Sequence, residues 1–280
     1  MPISLEPRPR KDNAPGEAHI GPDGGFLGSP ALGPPRVVVV VLIAGAALAK
    51  DPTRLAQRPV TLEEATKAFD AAALRVDDYA LADVARWTGP IYLAIAGYSG
   101  MSSVAPEIEA AVRDMARLAK VPMHRVEWGD PRANVRFRPS AGDLGSASNW
   151  PCRTSLSWGH GALQYAEVTV NLANEGRITR CINHEIMHVF GLRSHAHASA
   201  SVLSYTHSNF TRPSAIDRLM IETLYDTRLT PGTSAASATR IACSIMADKL
   251  GASESERTRQ CQGRDLRNGG LFTSLSHDRD

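Results

Sequence analysis

Apolar residues in this chain follow two rhythms. Spacing of three and four residues marks helices. Leu62, Ala65, Phe69 and Ala73 form one stripe, opened by the capping box Thr61-Leu62-Glu63-Glu64. Ile108, Val112, Met115 and Leu118 form a second, predicting a helix over 106–120 that Pro122 ends. Ile178, Ile182, Ile186 and Val189 form a third, stopped by Gly191. Ile216, Leu219, Met220 and Leu224 form a fourth within 213–226, with Ser214 as its cap and Asp217 in its first turn. A last helix is expected over 234–250, ended by Gly251. Short apolar or alternating runs predict strands at 91–96, 124–128, 134–138 and 164–172, with a turn at Gly129-Asp130-Pro131. Residues 140–161, rich in Gly, Ser and Pro, read as a loop carrying Trp150, Trp158 and His160. The order of these pieces predicts an α/β fold. A small twisted mixed sheet would carry a backing helix and the helix over 178–189, with a helical C-terminal part.

The chemistry concentrates in that third helix. His184-Glu185-Ile186-Met187-His188 reads H-E-x-x-H. Residues four apart share a helix face, so His184 and His188 can hold one ion on the side opposite the isoleucines. Two imidazoles suit zinc, which takes nitrogen or sulfur ligands in a tetrahedron. Glu185 lies a part-turn round, where a general base can reach water without ligating the metal. Gly191 can adopt the left-handed conformation that turns the chain back under the ion, so a third ligand is expected soon after it.

H-E-x-x-H-x-x-G followed closely by a histidine resembles the metzincin clan of zinc endopeptidases. That resemblance implies a zincin-like α+β domain over 50–250, zinc as cofactor and a peptide or protein substrate. It departs from the clan at two places. The clan's third-ligand position is Ser194, whose hydroxyl is a poor zinc ligand, and His195 and His197 follow it. The loop is expected to absorb one extra residue and offer His195, with His197 as the alternative. The clan's Met-x-Tyr turn is matched by Leu203-Ser204-Tyr205, with leucine for methionine, a swap of similar volume. By resemblance Tyr205 stabilises the oxyanion or ligates the metal, and Asp217 supports the turn by hydrogen bonds. Resemblance also makes the 164–172 strand an edge strand that pairs with the substrate backbone. The stretch from about Val84 to Asp226 is similar, too, to a bacterial family of exported proteins of unknown function with metzincin-like sites. An envelope module that binds zinc and peptide without turnover is the alternative function.

Composition adds an address. Residues 1–36 are rich in Pro and Gly and read as a disordered leader. Val37 to Ala49 is an unbroken small and apolar run after Arg36, ending in the A-x-A pattern Ala47-Leu48-Ala49. As a helix it would span about 20 Å, short of a bilayer core of about 30 Å, so it reads as a signal peptide core rather than a membrane span. Export permits disulfides among Cys152, Cys181, Cys243 and Cys261. Four cysteines allow three pairings; closeness in sequence suggests Cys152–Cys181 and Cys243–Cys261, and Cys181, one turn before His184, is also a conceivable thiolate ligand. Residues 251–280 read as a loose tail. A net charge of +2 on 280 residues argues against a nucleic acid partner.

Overall fold

The computed structural model describes residues 59–76, 80–98, 100–140, 152–172, 177–204 and 210–262. The stretches expected to be a leader, a signal core and a cleavage site, together with Trp150, Tyr205 and the residues beyond 262, lie outside the described residues. The fold is α+β, with a mixed sheet and six helices among the described residues.

The sheet has five strands: β3 (Ile91–Ile95), β4 (Met123–Val126), β5 (Val135–Pro139), β6 (Cys152–Gly159) and β7 (Ala162–Val170). A separate two-residue pair, β1 (Arg75–Val76) and β2 (Ala80–Leu81), precedes them. Spatial order in the sheet is β4-β3-β5-β7-β6. The first four run parallel, and β6 closes the edge antiparallel to β7. The turn at 129–131 therefore does not make neighbours of β4 and β5, because β3 lies between them.

Two expectations change here. Residues 152–159, read as loop, form the edge strand β6. The stretch read as an edge strand, 164–172, is instead the internal strand β7 over 162–170, paired on both sides. Cys152, Thr154 and Leu156 are buried while Ser155 is exposed, the alternation of a strand with one face on a core. That rhythm was masked by the serines and glycines around it. His160, which with Gly161 makes the tight β6–β7 turn at positive φ, is an exposed turn residue and is not among the histidines that cluster closely enough to share an ion.

The helices are α1 (Leu62–Ala73), α2 (Met101–Ala119), α3 (Ile178–Val189), α4 (Ala215–Leu224), α5 (Ala235–Leu250) and α6 (Glu254–Cys261). Thr61 caps α1 by accepting from the Glu64 amide, and Ser214 with Asp217 forms a capping box on α4. Helix α2 starts five residues before the expected proline start, so Pro106 sits inside its second turn. Ile178, Ile182, Ile186 and Val189 of α3 are all buried in one core with Leu93, Phe137 and Val168 of the sheet. Residues 254–261, expected to be loose, form α6 and are held to α5 by a disulfide.

Both bridges that sequence closeness suggested are present, Cys152–Cys181 and Cys243–Cys261, with Cα atoms 5.7 and 5.6 Å apart. Cys181 is thus a bridge and no thiolate ligand. Its disulfide ties the start of β6 to the first turn of α3. Among the described residues no helix is long and apolar enough to cross a membrane.

Candidate metal centre

Helix α3 delivers two imidazoles to one point. Its isoleucines occupy the core, so His184 and His188, one turn apart, meet on the other side with their Nε2 atoms 3.2 Å apart. The opposite nitrogen fixes each ring. His184 Nδ1 lies 2.9 Å from the Val202 carbonyl, and His188 Nδ1 lies 2.5 Å from the Leu192 carbonyl. A carbonyl only accepts, so Nδ1 carries a proton in both rings, and in the neutral tautomer Nε2 is then the nitrogen able to ligate. Two such nitrogens at that distance can share one cation. Two nitrogens about 2.0–2.1 Å from one ion at a tetrahedral angle stand about 3.3–3.4 Å apart, close to what is seen.

The third histidine arrives from the loop after α3. Gly191 has φ of +100°, and a Cβ there would stand 2.3 Å from the Ala85 carbonyl, so only glycine fits. The loop is then anchored to the end of α1. The Ser194 amide donates to the Ala72 carbonyl at 3.0 Å, and Ser194 is buried. The Arg193 guanidinium donates to the Ala73 and Asp83 carbonyls and lies 5.2 Å from the Trp158 ring. Burial pushes its pKa down to about 10. These anchors turn Ser194 into the protein and His195 toward the other two rings. Candidate ligand atoms of His184, His188 and His195 all lie within 4.8 Å of one another. His197 does not join them; its ring stacks on His195 at 5.4 Å.

Electrostatics suit a cation held by neutral rings. Burial, followed by the neighbouring His188 and His195, holds His184 well below the usual imidazole value. Glu185 is 7% exposed and takes a hydrogen bond of 2.6 Å from the Thr154 hydroxyl on β6. Burial raises its pKa against the opposing effects of His188 and Thr154, in the direction a base working near neutral pH needs.

The turn beneath the rings is a hydrogen-bonded platform. Ser201, Val202, Leu203 and Ser204 are buried. Asp217 of α4 is 0% exposed and accepts from the Ser201 hydroxyl, the Val202 amide, and the amide and hydroxyl of Ser214. Val202 in turn holds His184 through its carbonyl. Asp217 thus supports His184 at one remove, and Leu203 of the turn is fully buried.

A family model described as a protein of unknown function (DUF2927) matches residues 155–242. No curated protein matches the chain. The matched stretch contains most of β6, all of β7, α3, the three histidines and α4. It does not contain α1 or the segment around Ala85 against which the third-histidine loop is built.

Sequence reasoning did not single out Thr154, Arg193 or the clamp on the end of α3. In that clamp Trp87 donates from its indole to the Val189 carbonyl at 2.9 Å. The Tyr225 hydroxyl donates to the Phe190 carbonyl and accepts from the Trp87 amide, both at 3.1 Å. Only the alternation of Cys152, Thr154 and Leu156 offered a sequence signal, and only for Thr154.

Proposed function

We propose that this chain is an exported zinc endopeptidase of metzincin type. The observation that carries the reading is the pair of Nε2 atoms of His184 and His188, 3.2 Å apart with each Nδ1 held by a carbonyl, joined by His195, with the carboxylate of Glu185 alongside. Three neutral imidazoles match zinc and do not match magnesium or calcium, which demand oxygen donors. Zinc held there would supply Lewis acidity, polarising a carbonyl and acidifying water.

The chain's own groups do the rest. Glu185 takes the proton from the attacking water and passes it to the leaving amine, and the Thr154 hydroxyl holds the carboxylate in place. Among the described residues β6 pairs on one side only, so its free edge can receive an extended peptide by backbone hydrogen bonding. The substrate rail in this proposal is therefore β6 and not β7. Tyr205 is retained as the oxyanion-stabilising group of the proposal. The apolar run Val37–Ala49 and the two disulfides support export to an oxidising compartment.

Metal analysis of the purified mature chain, paired with casein cleavage, tests the reading. One zinc per chain is expected, with cleavage abolished in Glu185→Gln while zinc is retained. A zinc-loaded chain whose biological activity survives Glu185→Gln would be a binding module. A chain that takes up no zinc would end both readings.

A further inference from the structure

The face of the sheet away from the helices carries its own recognition chemistry. Strand register puts Arg136, Glu167 and Ser155 in one row across β5, β7 and β6, pointing opposite to the buried Val135, Phe137 and Val168. Arg136 sits between two aromatic rings, with its guanidinium 5.9 Å from Trp128 and 5.8 Å from Tyr165. Trp128 is 39% exposed. Four other half-buried arginines find acceptors: Arg86 on carbonyls, Arg138 on Glu167, Arg218 on Asp114, Arg257 on Asp248. Among the described residues the Arg136 guanidinium has no hydrogen-bond acceptor; its Nε is buried without a partner like those of Arg193 and Arg257, but those two donate from other nitrogens. The nearby carboxylate of Glu167 is engaged elsewhere, one oxygen accepting from Arg138 and the other from the Tyr165 hydroxyl.

We infer that this slot binds a carboxylate-bearing sugar. A half-buried guanidinium without an acceptor is costly, and a ligand carboxylate supplies the missing acceptor in the planar, two-toothed geometry a guanidinium prefers. The exposed face of Trp128 offers a flat apolar surface for a pyranose ring. Ser155 and Ser157, opposite Glu167 and Tyr165 in register, offer hydroxyls beside it. Among the described residues Arg136 is the one cation in this row, next to a carboxylate, which suits a singly charged ring better than the densely charged backbone of a nucleic acid. The site lies on the face opposite the histidines and is independent of the peptidase reading.

Titration calorimetry with the full mature chain and a trigalacturonate probe tests it, with the methyl ester of that probe, acetate and a single-stranded oligonucleotide as comparisons. Saturable binding of trigalacturonate is expected, at least about tenfold weaker for Arg136→Ala and for the ester. Trp128→Ala should weaken it as well, and Arg136→Lys should restore it only in part, since lysine keeps the charge and loses the fork. Unchanged thermal melting of the variants shows that the fold is kept. Equal affinity of the wild type and Arg136→Ala, no binding at millimolar probe, or preference for acetate alone or for the oligonucleotide would overturn the assignment.

Discussion

At the scale of single residues, the site turns on two displaced choices. The clan pattern puts the third ligand at Ser194, yet that residue's amide is committed to Ala72 and His195 takes the place beside the helical pair. We expect His195→Ala to lose most zinc affinity and His197→Ala to keep it, measured by competition with a chromogenic chelator; the opposite order would move the third ligand to His197. Asp217 is the second choice. Replacing it by alanine would strand the Val202 and Ser214 amides in a dry interior, at a cost of about 2–5 kcal/mol. Urea denaturation should show that loss, and zinc should bind more weakly because Val202 positions His184. The role of Asp217 was readable from its place after Ser214 in a helix start; its two partners outside the cap, Ser201 and Val202, were not.

At the scale of elements, β6 and α3 act as one unit. Thr154 of the strand holds Glu185 of the helix, and the Cys152–Cys181 bridge joins them near the same level. The bridge closes a loop with a sequence separation of 29, for which chain entropy gives about 3–4 kcal/mol of stabilisation. The double variant Cys152→Ser, Cys181→Ser should melt earlier by calorimetry and cleave peptide less well, with zinc content largely kept. Unchanged melting would show that the bridge adds nothing to the packing already around it. The helix of this unit was legible because its apolar stripe repeats every three or four residues. The strand was not, because three of its eight positions are serine or glycine and propensity there yields to tertiary pairing with β7.

At the scale of the whole molecule, the three-histidine cluster joins distant parts: α3, the loop after it, the 201–204 turn on α4, and through Ser194 and Arg193 the end of α1. An ion bound only by the folded chain stabilises all of them by mass action, about 2.7 kcal/mol at a hundredfold excess over its dissociation constant. Stripping zinc with a chelator should therefore lower the melting temperature by several degrees and readdition should restore it; a melt indifferent to chelation would mean that the histidines hold no ion in solution. The sequence by itself determined what depends on near neighbours: the amphipathic stripes, the His184–His188 spacing, the glycine stop and the cap at Ser214. Helix geometry makes those relations fixed functions of spacing. Only the tertiary structure decided that β6 and not β7 is the free edge, that His195 rather than His197 faces the pair, and that Thr154 meets Glu185. Each of these depends on contacts between segments far apart in the chain, and those are set by how the whole core packs rather than by any local period.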